Sequence, residues 1–268
     1  MSRQHLGERL ARRLAWHQAA HDAERDPRNR LEWLPVLRRW QSARLEQSFE
    51  AFLDDPGRRP AAEFFLSDLY GERDFSRRDA DIARVAPKMQ RLLPTGLVET
   101  LCDAIELATL SHAFDLRMAE TLHAMAPRSR TLDLARYGEA YRQVGMPLLR
   151  THQIDLIVKA GLGLGMALKT RGVATLLSVL RGPARAMGLG ELQSFLERGF
   201  GAYAELEDVP AFVADIEHAE REVSARLFTA HPEPFDVPRR TPTPGARRAR
   251  KAPAKSSPRK PRGRPARG

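Results

Sequence analysis

A single cysteine, Cys102, occurs in the 268 residues. No intramolecular disulfide is therefore available, and the chain suits a reducing compartment. Long apolar runs are also missing. The most apolar stretch, Ile154 to Leu168, contains Asp155 and Lys159 and is too short to span a bilayer. The opening residues MSRQHLGERLARRLAWHQ hold no apolar core of signal-peptide length. These features predict a cytosolic chain with no membrane partner. No convincing run alternates apolar and polar residues, which argues against a sheet. Lysine is scarce, 6 against 38 arginines. That bias, with abundant alanine, marks a GC-rich and bacterial coding sequence rather than an activity.

The last residues lack both acid and grease. From Pro238 to Gly268 there are twelve Lys or Arg, seven Pro and three Gly, with no Asp, Glu, Ile, Leu, Val, Met or aromatic residue. Such a segment cannot bury enough apolar surface to offset its chain entropy, so disorder is expected. The whole chain carries +10, which leaves −2 on residues 1–237. The sequence pI near 10.4 therefore describes the tail, not the body. Two parts are expected: a helical domain over 1–237 and a basic tail over 238–268.

Within the body, apolar residues recur at spacings of three and four. Helices are expected over 3–24, from Pro27 to about 53, 60–70, 76–93, 96–125, from Thr131 to 144, 147–169, 172–187, 190–207 and 210–229. Together they predict an all-α, compact array of about nine helices, with short loops and no internal repeat. The clearest helix carries Val98, Cys102, Ile105, Thr109, His112, Leu116, Ala119 and His123 on one stripe. Thr131 is expected to cap the 131–144 helix, with Asp133 near its positive end.

Familiar chemistries find little support. Gly161, Gly163 and Gly165 precede Lys169-Thr170, but no strand leads in and Leu168 stands where a phosphate loop needs glycine. Close helix packing is the expected use of Gly161 and Gly165. Cys102 lies on an apolar stripe and reads as core. The pairs Glu120/His123 and Asp215/His218 have a carboxylate–x–x–histidine spacing found in di-iron helical proteins, and His17/His21 stand one turn apart. Neither supplies a full ligand set. His112 and His123 are candidates for a haem ligand, although a histidine on an apolar face is more often a hydrogen-bonded core residue. His152, Asp155 and Lys159 read as a solvated face with local ion pairs. No metal or cofactor is assigned.

The tail offers the most concrete chemistry. Arg262-Gly263-Arg264-Pro265, flanked by Arg259, Lys260, Pro261 and Arg267, resembles an AT-hook. Ser257-Pro258-Arg259-Lys260 is similar to the Ser-Pro-basic-basic repeats of linker-histone tails. The minor groove over A·T pairs is narrow and negative and draws in arginine. Gly263 has no Cβ to hold the backbone off the bases, and the prolines favour an extended chain. Arg262 and Arg264 would enter the groove, while Arg259, Lys260 and Arg267 would reach phosphates. AT-rich DNA is the expected partner, RNA and other polyanions are alternatives, and DNA contact would place the protein at the nucleoid.

In the body, Phe64-Phe65-Leu66-Ser67-Asp68-Leu69-Tyr70-Gly71, followed by Asp74-Phe75-Ser76-Arg77-Arg78-Asp79, resembles the signature of an uncharacterised family of bacterial helical proteins. The resemblance runs from about residue 30 to 225 and implies an all-helical fold but no activity. The aromatics read as core, and the charged residues as an ion-pair cluster or an anion site at Arg73, Arg77 and Arg78. Three functions stay open: a non-enzymatic domain tethered to nucleic acid, a metal- or haem-binding helical enzyme, and a protein–protein adaptor using Phe64–Tyr70.

Overall fold

Pro27 cannot donate a backbone hydrogen bond, and in the computed structural model it opens a 3₁₀ turn, Pro27–Arg30, rather than a long helix. Asp26 caps this turn by accepting from the Arg28 amide at 3.1 Å. The structure describes residues 3–69, 94–170 and 190–238, with isolated positions in 171–189. The expected helices over 76–93 and most of 172–187 therefore lie outside the described residues, as does the tail from Arg239 onward.

Among the described residues there are eight α-helices and no strand. They are α1 Arg3–His21, α2 Trp33–Leu53, α3 Arg59–Phe64, α4 Thr95–Met125, α5 Leu134–Val144, α6 Pro147–Lys169, α7 Gly190–Ala204 and α8 Val209–Phe228. The last turn of the apolar 60–70 segment is a π-helix, Phe65–Leu69. Residues Met1–Pro238 form one unit.

Helix α4 sits at the centre, packed against α1, α2, α5 and α6. The sequence stripe explains only part of this. Val98, Cys102, Ile105, His112, Leu116 and Ala119 are buried, but so are Phe114, Met118 and Leu122 beside them. A helix covered on several sides buries more than one stripe. His123, the expected last member, is exposed where α4 emerges from the bundle.

The cap of α5 is Asp133, not Thr131: its carboxylate accepts from the Arg136 amide at 2.8 Å. A carboxylate adds charge complementarity to the helix N-terminus, which a hydroxyl does not. Helix α5 stops at Gly145, whose φ of +65° costs glycine little. Met146 follows at φ +62° and leads directly into Pro147 of α6.

Among the described residues, three larger apolar clusters and a small one around Ala167 and Phe200 fill the unit. The first joins Trp33 and Leu37 of α2 to Leu116 and Leu122 of α4, Tyr137 and Tyr141 of α5, and Val223 and Leu227 of α8. The second joins Leu45 and Phe49 of α2 to Phe65, Ile157, Tyr203, Phe212 and Ile216. The third seats Leu6, Leu10 and Leu14 of α1 on Val98, Cys102 and Ile105 of α4. Gly161 and Gly165 serve close packing as expected. A Cβ on Gly161 would stand 2.8 Å from Val213 Cγ2, and one on Gly165 would stand 2.7 Å from Val209 Cγ1. Here α6 presents no side chain, and the valines of α8 pack directly on its backbone.

Candidate functional site

The first and second clusters do not merge. On α2 the change from Leu37 to Leu45 is interrupted by Gln41 and Arg44. On α8 Ile216 belongs to one cluster and Val223 to the other, with Glu220 between them. On α4, Ser111 and Asp115 precede Leu116, and on α6, Arg150 and Gln153 precede Ile157. Across these breaks Gln41 bonds Asp115 and Gln153 bonds Ser111, so polar residues of α2, α4 and α6 meet where the two clusters part.

Two aromatic faces hold Arg150. Its guanidinium carbon lies 3.6 Å from the ring centre of Phe114 and 4.4 Å from that of Tyr141. Such a sandwich is worth roughly 2 kcal/mol when desolvated. The residue is only 9% exposed. Its Nη1 donates to Gln153 Oε1 at a long 3.4 Å, and Gln153 in turn donates to Ser111 at 2.8 Å. Arg150 Nε is buried with no acceptor. Arg44, half-buried, lies over the Phe235 ring at 4.7 Å, and its Nε and Nη1 are buried without acceptors too. Leaving a buried donor unpaired costs roughly 1–3 kcal/mol.

Asp115 lies close to Arg150 and pairs with Arg38. It accepts from Arg38 Nε at 3.4 Å and from the Gln41 side chain, while the Arg150 charge also favours its ionised form. Burial outweighs all three and pushes its carboxyl above the usual range. Tyr141, raised mainly by burial, pairs its hydroxyl with Ser224 at 2.9 Å.

Beside this layer stands a stack of imidazoles. The rings of His21 and His112 are parallel at 3.7 Å, and His17 lies 4.4 Å from His21. His112 Nε2 lies 3.0 Å from both Ala20 O and Asn29 Oδ1, so it carries the proton and donates to them. Its Nδ1 accepts from Arg38 at 2.7 Å. Burial, with the nearby cationic groups adding to it, depresses its pKa to about 3. Both ring nitrogens are thus engaged within the protein, and His112 is a core histidine rather than a free haem ligand. His17 is buried and bonds Thr109 Oγ1 at 3.1 Å.

The other sequence candidates separate. Glu120 takes Arg28 at 3.5 Å, and Asp215 takes Arg58 at 2.8 Å. Among the described residues no group of three His, Cys, Asp or Glu could hold a metal ion. His152 pairs with Glu106 across to α4, and Asp155 with Arg221 across to α8, so these contacts tie helices together instead of decorating one face. Cys102 is fully buried and its thiol is pushed up by burial. Phe64 and Phe65 are buried core residues. The side chain of Asp68 and residues 73–79 lie outside the described residues, as do Arg259, Lys260, Arg262, Gly263, Arg264, Pro265 and Arg267.

No sequence motif pointed to the polar layer. The one available signal was the interruption of apolar stripes at Gln41/Arg44 and Glu220, which acquires meaning only when the helices are aligned. No helix of the described residues is long and apolar enough to cross a membrane. No curated protein and no solved structure matches the chain. The model of one family, described as Domain of unknown function (DUF8198), matches residues 20–234, and the chain belongs to that family.

Proposed function

We propose that this protein is a helical domain tethered to nucleic acid by its basic C-terminal segment, with the AT-rich minor groove as the preferred site. The observation that carries this reading is a coincidence of boundaries. The helical unit closes at Pro238, and the twelve cations with no acid all follow that residue. The body, at −2, supplies no general attraction for a polyanion. The family match also ends at residue 234, so the tail adds its own recognition to the shared helical domain. Arg262 and Arg264 enter the groove around Gly263, and Arg259, Lys260 and Arg267 neutralise phosphates.

Fluorescence anisotropy on AT-rich and GC-rich duplexes tests this, with the full chain, a 1–237 truncation and an Arg262→Ala/Arg264→Ala double variant. The full chain is expected to prefer AT-rich DNA, with a log–log salt slope of about −3 to −5 for three to five neutralised phosphates. The truncation loses binding, and the double variant loses the AT preference first. Equal affinity in the full and truncated proteins would overturn the tether.

A further inference from the structure

We propose that the polar layer is a binding site for a small oxyanion, with Arg44 and Arg150 as its donors. Among the described residues, other arginines that join helices have carboxylate partners: Arg9 and Arg13 on Asp103, Arg58 on Asp215, and Arg221 on Asp155 and Glu217. Arg44 and Arg150 have none, although their donor atoms are the ones withdrawn from water. Asp115, the nearest candidate, is committed to Arg38 and Gln41. Glu220 lies near Tyr141 and forms no ion pair with either arginine. A protein interior seldom leaves three guanidinium nitrogens without acceptors, and an ion that supplies them is a physical resolution.

A chain of neighbours connects the two donors. Gln41 bonds Asp115, and Arg44 stands one turn beyond Gln41 on the same face of α2. From the opposite side, Arg150 is close enough for its charge to act on Asp115. Arg38 takes Asp115, while Arg44 and Arg150 have no carboxylate partner, so cationic groups are in excess here. Phe114, Tyr141 and Phe235 cover ring-facing sides of Arg150 and Arg44. The in-plane N–H groups remain, and these suit the oxygens of a carboxylate or phosphate rather than a halide or an apolar ligand. The aromatic walls also keep the site dry, which strengthens each charged contact.

Thermal unfolding of the full-length protein in inorganic phosphate, in succinate and in sodium chloride of matched ionic strength tests the site. Phosphate or succinate is expected to raise Tm in a saturable way beyond the chloride control, because a ligand of the native state stabilises it by mass action. A rise with phosphate alone assigns a phosphate-bearing ligand; a rise with succinate alone assigns a carboxylate. Arg44→Gln and Arg150→Lys should each weaken the midpoint of that rise by about tenfold or more. The basic tail is present in every form, so the difference between wild type and variant belongs to the body. Arg44 is half-buried and its replacement tolerates folding better, so R44Q decides the question should R150K fail to fold. An equal rise in wild type and R44Q, or no rise beyond chloride for either anion, would overturn the proposal.

Discussion

At the scale of single residues, His112 shows how a surface-type side chain becomes core. Its stripe position on α4 was visible from spacing, and the expectation of a hydrogen-bonded core histidine holds. Its partners, Ala20, Asn29 and Arg38, come from elements 74 to 92 residues away, which spacing cannot reveal. The folded state holds the imidazole neutral, with a pKa of about 3 against an ordinary 6.5. Its contribution to stability is therefore complete above pH 6.5 and is lost as pH falls from 6.5 toward 3. The charged and titratable groups near it are His17 and His21 of α1, Asp26, Arg38 of α2 and, through Arg38, Asp115. Asp115 acts oppositely, since its raised pKa favours the folded state on acidification. Urea unfolding at several pH values should show wild type losing about 1 kcal/mol more per pH unit below 6.5 than His112→Gln. Parallel profiles would show that His112 is not the group that titrates on unfolding.

Among elements, the α6–α8 contact was the most legible and the polar layer the least. Gly161 and Gly165 are four apart, a spacing that announces close approach, and Val213 and Val209 fill the space. Arg44 and Arg150 look like any of the 38 arginines, because what distinguishes them is the junction where the two clusters part. The glycines allow a direct test. Gly161→Ala places a methyl 2.8 Å from the buried Val213, a β-branched side chain with little room to turn. Overpacking of roughly 1–3 kcal/mol should outweigh a helix-propensity gain of about 1 kcal/mol. Gly96 in α4 has nothing within 4 Å of its missing Cβ, so Gly96→Ala should stabilise by up to about 1 kcal/mol. Chemical denaturation of the two variants should give opposite signs. A stabilised G161A would mean that α6 and α8 slide apart at little cost.

For the whole molecule, charge and helices locate the end of the body differently. The last helix stops at Phe228, yet the apolar residues continue to Val237. The segment between them folds back: Arg226 donates to the carbonyls of Glu233 and Asp236, at 3.4 and 2.6 Å. Pro234 is buried, and Phe235 lies 6.0 Å from the Trp40 ring and 6.1 Å from Tyr137 while covering Arg44. The absence of large apolar residues after Val237 was the better guide to this boundary, because a strap without regular structure carries no periodicity. Two truncations separate the cases. Ending the chain after Val237 removes only the basic segment and should leave Tm unchanged. Ending it after Thr229 removes the Phe235 contact and its backbone bonds, and should cost roughly 2–3 kcal/mol, the value of burying one large aromatic side chain. Equal Tm values for the two truncations would make the strap an ornament. The expected difference would make the strap a stabilising part of the helical unit, held by Phe235 and by the bonds from Arg226.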